Sequence, residues 1–193
     1  YAEGIKYGVF ENPDEATDII ISESKRLSDM VENLLTLSRL DLSSSGSHSG
    51  KKSLIDLRET LDSVIENIRG SVILAKKNLN FSFPEGAVTV LGNESDLFRA
   101  IENLLSNAIR HAQSRIDIEL KTDDMFATIT VTDDGDGIPE DLLPILFNRF
   151  VRGEKGKHGI GLALVKAVAE DHKGCIFASN RSEGQKGAEF TLK

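Results

Sequence analysis

At 193 residues the chain is long enough for one full core with a smaller helical appendage. Its net charge of −8 argues against a nonspecific nucleic-acid binder, and its single cysteine, Cys175, rules out an intrachain disulfide and any multi-cysteine metal site. It carries no signal peptide and no run of about eighteen apolar residues, so direct membrane contact is not expected.

The sequence opens with Tyr1 in helix-like sequence and reads as a piece of a longer protein. Residues 1–42 are expected to form two helices. The first, YAEGIKYGVF, is interrupted by Gly4 and Gly8 and stopped at Glu11–Asn12–Pro13. The second begins with Asn12 as N-cap, Pro13 in the first turn, and Asp14 and Glu15 at the positive helix end. Ile20, Leu27, Val31 and Leu34, with Met30 and Leu37 beside them, make a stripe too wide for an isolated surface helix. A four-helix bundle built by two chains would cover it, and so would docking onto the chain's own domain. The dimer is the favoured expectation. Residues 43–53 begin with SSSGSHSG, a low-complexity linker that marks the domain boundary.

Residues 54–193 read as the main domain. A helical period runs through Leu57, Leu61, Val64, Ile65 and Ile68, followed by short strands at Leu79–Phe83 and Val88–Leu91. A central helix starts near Asn93 or Ser95 and ends near Ala112. Arg115–Lys121 and Phe126–Thr132 alternate as strands around a Thr122–Asp123–Asp124 turn. A short helix over Glu140–Phe147, a helix over Leu162–His172, and strands at Cys175–Asn180 and Ala188–Leu192 complete the domain. The mixture predicts an α+β fold in which helices cover one face of an open mixed sheet.

Within the central helix, IENLLSNAIRHA places Asn103 and Asn107 four residues apart and Arg110 three further on. An amide oxygen can complete a hard-cation shell crowded by phosphate oxygens, and a guanidinium can hold a phosphate oxygen. Alone, the pattern fits a solvated polar face equally well. TDDGDGIP follows a strand; one of Asp133 and Asp134 could accept from the exocyclic amine of adenine and would repel guanine at that place. Gly135 and Gly137 let the backbone turn and let a flat ring approach. An acidic turn is the plainer alternative. FNRFVRG spaces Phe147 and Phe150, and Arg149 and Arg152, three apart, giving a helical turn an aromatic and a basic face. Glu154–His158 is short, charged and glycine-broken, as a lid would be. GIGLALVK leads into a helix, where Gly159 and Gly161 offer free N–H groups to phosphate.

In order and spacing, ENLLSNAIRHA, DDGDGIP, LFNRFVRG, GIGLALVK and the late GAEF resemble the N, G1, F, G2 and G3 boxes of sensor histidine kinases. These belong to the ATPase superfamily shared with DNA gyrase and MutL. The helices ending LLTLSRLDL resemble the C-terminal part of the family's dimerisation domain. The resemblance implies a Bergerat-type α/β sandwich preceded by a helical hairpin, and ATP with Mg2+ as cofactors. It implies Asn107 as magnesium ligand, Asn103 assisting with magnesium or phosphate, and Arg110 where a Lys or Arg meets phosphate; Arg149 and Arg152, on the basic face of FNRFVRG, would add cations near the phosphates. Asp133 with Gly135 and Gly137 would hold adenine, and Gly159, Gly161 and Leu162 would border the phosphates. It implies a homodimer through residues 1–42, weakened by truncation, and a response regulator receiver domain as partner. The setting would be cytoplasmic, in a membrane-bound sensor.

The chain departs from the family pattern at two places. Lys157 stands where the G2 box usually has another glycine, and none of His48, His111, His158 or His172 lies in a phosphoacceptor H-box context. The acceptor is therefore expected upstream of Tyr1. A gyrase-like hydrolase would need a carboxylate base where this chain has Asn103, with Glu102 turned about 100° away around the helix. A catalytically silent ATP-fold scaffold or binding module is the remaining alternative.

Overall fold

The computed structural model describes residues 13–44, 52–151, 159–181 and 185–193. Helix α1 spans Pro13–Ser44 without a break, two residues past the expected boundary at 42. The helix expected over residues 1–10 and the Asn12 cap lie outside the described residues. The apolar residues of α1 divide between two faces. Leu37 and Leu40 are buried and Met30 packs on the core, whereas Leu27, Val31, Leu34, Leu35 and Leu42 are exposed. One face of α1 is thus docked on the chain's own domain, and a second apolar face is left open.

Strand β1 (Ser53–Asp56) pairs antiparallel with β3 (Thr89–Gly92) in a two-stranded sheet. This strand was not expected, since Ser53 falls in the anticipated linker and the four residues have no periodicity to read. Asp56 caps helix α2 (Leu57–Leu74), accepting from Arg58 N–H at 3.0 Å. The same carboxylate accepts from Val88 N–H at 3.1 Å, which ties the small sheet to the helix. Leu57, Leu61, Val64 and Ile68 form the buried stripe of α2.

The main sheet has five strands. These are β2 (Asn78–Ser82), β4 (Arg115–Thr122), β5 (Ala127–Asp133), β6 (Ile176–Asn180) and β7 (Ala188–Leu192), in the order β2-β4-β5-β7-β6. Only the β2–β4 pairing is parallel. Alternation sets the faces: Ile116, Ile118, Leu120, Ile129, Val131, Phe190 and Leu192 are buried toward the helices. Helix α3 (Glu94–His111) lies between α2 and α4 (Gly161–Asp171), with Ile101, Leu104 and Leu105 fully buried. The expected mixed sheet with helices on one face is the architecture found. His172 joins α4 to α3: its Nδ1 lies 2.7 Å from the Val168 carbonyl and its Nε2 accepts from Asn93 N–H at 3.0 Å.

One expected helix is absent. Glu140–Phe147 contains a 3-10 turn at Leu143–Ile145 instead, because Pro144 supplies no N–H to an α-helical ladder. The described residues after it, 146–151, are not helical either, so Phe147 and Phe150 do not share a helical face; Arg152 lies outside the described residues. Phe147 packs against the core, while Phe150 is exposed at φ +66°.

Candidate functional site

Helix α3 carries Asn103, Asn107 and Arg110 along one side, and two glycine-bearing segments close on it at different heights. A Cβ on Gly161, the first residue of α4, would lie 2.4 Å from Asn103 Oδ1, so any larger residue there must displace the Asn103 side chain. A Cβ on Gly135 would lie 2.3 Å from the His111 carbonyl oxygen at the other end of α3. Half-buried Asn107 sits between these two contacts. Gly159, at φ +67°, accepts from Phe150 N–H at 2.7 Å, and Leu162 packs against the core. Sequence alone assigned Gly135 and Gly137 to a backbone turn and the approach of a flat ring, and Gly159 and Gly161 to phosphate. In the fold Gly135 and Gly161 also let their segments approach α3 closely.

Asn103 is held at both ends of its amide. Its Nδ2 donates to the Arg99 carbonyl at 2.8 Å, and its Oδ1 accepts from Asn33 Nδ2 at 3.5 Å. Asn33 belongs to α1, whose polar face crosses this side of α3. Glu32 pairs with Arg99 at 2.6 Å, and Arg39 pairs with the buried Asp96. The Arg110 side chain reaches solvent, yet partial desolvation and then the nearby Arg26 cation make its protonation less favourable than usual. Arg26 itself donates through Nη1 to both Glu23 oxygens, at 2.8 and 2.7 Å.

Arg149 is placed elsewhere. Its Nη2 donates to both Asp41 oxygens at 2.7 Å, so α1 holds it, and no described contact joins it to Asn103, Asn107 or Arg110. A hollow of about 500 Å³ beside this pair is lined by Val31, Leu34 and Leu35. Arg152, Lys157 and the expected lid at 154–158 lie outside the described residues.

Asp133 and Asp134 stand next to each other at the end of β5, with opposite environments. Asp133 is 2% exposed, and its Oδ1 accepts from Gly135 N–H at 2.8 Å and Ala188 N–H at 3.4 Å. Burial pushes this carboxyl above the usual range, and the two N–H groups only partly offset that. Among the described residues none bonds Oδ2, so one oxygen is fixed by backbone and the other is left for an outside donor. Burial also works against ionised Asp134, but the Ser114 hydroxyl and the N–H groups of Arg115, Ser114 and Gln113 outweigh it and hold its carboxyl far below the usual range. Asp134 therefore pins the α3–β4 loop, a role that nothing in two adjacent acids announces.

Replacing Asp134 by Ala is expected to cost about 2 kcal/mol after solvent screening, a fall in Tm of 4–8 °C for a domain of this size. Because its folded pKa is depressed, the contribution is present above the ordinary carboxylate range and is lost progressively as pH falls from there through the depressed folded pKa. Thermal melts of the two proteins should converge in acid.

Glu102 lies on another side of α3. Burial raises its pKa; Asn67 Nδ2, donating to it at 2.6 Å from α2, lowers it, and Asp29, Arg99 and Lys25 also act on it electrostatically. Sequence reasoning anticipated that orientation. It missed Asn33 and Asp41, whose partners lie 70 and 108 positions away in the chain.

Residues 92–193 match the family described as the histidine kinase-, DNA gyrase B- and HSP90-like ATPases. The sensor histidine kinase CssS of Bacillus subtilis is 31% identical over 187 residues, covering 95% of this chain and 40% of its own length. The chain thus spans less than half of that relative. Acinetobacter baumannii histidine kinase AdeS superposes with a TM-score of 0.77 at 24% identity, over 99% of this chain and 89% of its own. Full-length ShkA in complex with AMPPNP gives a TM-score of 0.74 at 22% identity, over 95% of this chain and 38% of that one. Among the described residues no helix is long and apolar enough to cross a membrane. The match over more than half of its length makes this chain a member of the histidine kinase-, DNA gyrase B- and HSP90-like ATPase family, with sensor histidine kinases as its relatives.

Proposed function

We propose that this chain binds ATP with magnesium on the exposed side of α3 and transfers the γ-phosphoryl group to a histidine on a dimerisation helix. From there the phosphoryl group would pass to a response regulator receiver domain. The observation that carries the reading is Asp133, buried, with Oδ1 fixed by backbone and Oδ2 left for a donor such as the adenine amine. Asn107 would ligate the metal, Asn103 would support it, and Arg110 would hold phosphate oxygens. Bound magnesium would neutralise charge on the phosphates. That ShkA was solved with AMPPNP supports a nucleotide on this fold.

In this reading residues 54–193 are the catalytic domain, 43–53 contain the linker, and 1–42 contribute to a dimerisation bundle. The open apolar face of α1 would be covered by a second chain. The acceptor His and the rest of the bundle would lie upstream, and the domain would work in the cytoplasm, where ATP is available.

Extending the chain upstream should therefore tighten self-association in sedimentation and allow incorporation of phosphate from ATP. An extended chain that dimerises and carries an acceptor His, yet takes up no phosphate, would support a silent scaffold instead.

A further inference from the structure

Asn180 closes the sheet edge beside the Asp133 loop, and no motif contains it. Its Oδ1 accepts from Ile138 N–H at 2.6 Å and its Nδ2 donates to the Ile138 carbonyl at 2.8 Å. One side-chain amide thus grips both polar groups of one backbone residue, as a neighbouring strand would. Gly137, one residue earlier, has φ +84°, and a Cβ there would lie 2.7 Å from Asn180 Oδ1. Glycine at 137 is therefore what lets Asn180 reach the loop.

The other side of Asn180 leads to Asp133. Asn180 is the register partner of Ala188, and Ala188 N–H bonds Asp133 Oδ1. Arg181 N–H donates to the Gly187 carbonyl at 3.1 Å and closes the same corner. The β6–β7 end therefore holds the loop at Ile138 through Asn180 and the carboxylate through Ala188. The Ile138 side chain, meanwhile, packs against the core.

We propose that Asn180 is a positioning residue for nucleotide selection: its two-point grip on Ile138 fixes the 135–138 loop against Asp133, so that Oδ2 meets an adenine amine at one defined place. The proposal rests on Asp133 reading adenine. Asn180 is itself exposed, and its bonds go to a surface loop, so removing it loosens the loop without opening the core.

The test is competition binding of ATP and GTP, with magnesium, to the wild type, Asn180→Ala, Asn180→Asp and Asp133→Asn, with a thermal melt of each. Asn180→Ala should weaken ATP about fivefold, equivalent to 1 kcal/mol, and GTP less, so that selectivity narrows. Its Tm should stay within about 2 °C of wild type, as for a surface change. Asn180→Asp keeps the acceptor for Ile138 N–H and loses the donor, so its affinity should fall between the two. Wild-type affinity and selectivity in both variants would overturn the proposal. So would a large fall in Tm with equal losses for ATP and GTP, which would make Asn180 a purely structural residue. If Asp133→Asn narrows selectivity and the Asn180 variants do not, the grip alone fails. If Asp133→Asn also leaves selectivity intact, the adenine reading fails and the grip with it.

Discussion

Replacing Asp133 by Asn is expected to weaken ATP binding by about 10- to 100-fold and to narrow its advantage over GTP. The carboxylate accepts only, whereas an amide in the same place also donates and can turn that donor toward the base. Gly135 and Ala188 bind Oδ1 in the native protein, so the substitution should leave the β5 end in place and act mainly on Oδ2. Acid provides a second route to the same loss. Burial raises the Asp133 pKa, so protonation begins above the ordinary carboxylate range, and ATP affinity should decline there in a pH titration. The sign for stability is the reverse. A raised folded pKa means the folded state takes up this proton more readily than the unfolded chain, so this group does not destabilise the fold as pH falls. Binding should therefore be lost before the fold is, with Asp134 contributing the opposite trend at lower pH.

Asn107→Ala should abolish most of the gain in nucleotide affinity that magnesium brings, a loss of about tenfold or more. Asn107 is half-buried at the flank of a core face formed by Leu104, Leu105 and Ala108, and its removal takes no apolar group from that core. The readout is calorimetry of an ATP analogue with and without magnesium. An Asn107→Ala protein that keeps the wild-type response to magnesium would remove Asn107 from the metal site. Ala is also a better helix former than Asn, so a lowered melting temperature is not expected to complicate the comparison.

Much of this site could be read along the chain because its parts are local. Asn103, Asn107 and Arg110 share a helix whose apolar period runs from Leu97 to Ala108, and Asn93 caps it through Asp96 N–H at 3.1 Å. The glycine motifs were legible as loops, but their purpose was not, because His111 and Asn103 meet them only in three dimensions. Strand β1 escaped notice because four residues with one buried side chain carry no period. Pro144 was visible and should have counted against a helix over Glu140–Phe147. The division of labour between Asp133 and Asp134 depends on which carboxylate points inward, and the end of β5 decides that through Gly135 and Ala188. Arg149 was assigned to phosphate from its neighbours in sequence, yet its two bonds go to Asp41, on a helix that precedes the domain. Likewise the apolar stripe of α1 offered a choice between a partner chain and its own domain; the fold docks one face of the helix on the domain and leaves a second apolar face exposed.

ATP binding through Asp133 with magnesium on Asn107 is decided by calorimetric titration of the purified chain with a non-hydrolysable ATP analogue, first with magnesium and then with a chelator. Saturable binding at one site is expected, weaker by about tenfold or more once magnesium is removed. No saturable binding with magnesium present, or one affinity in both titrations, would rule that binding mode out.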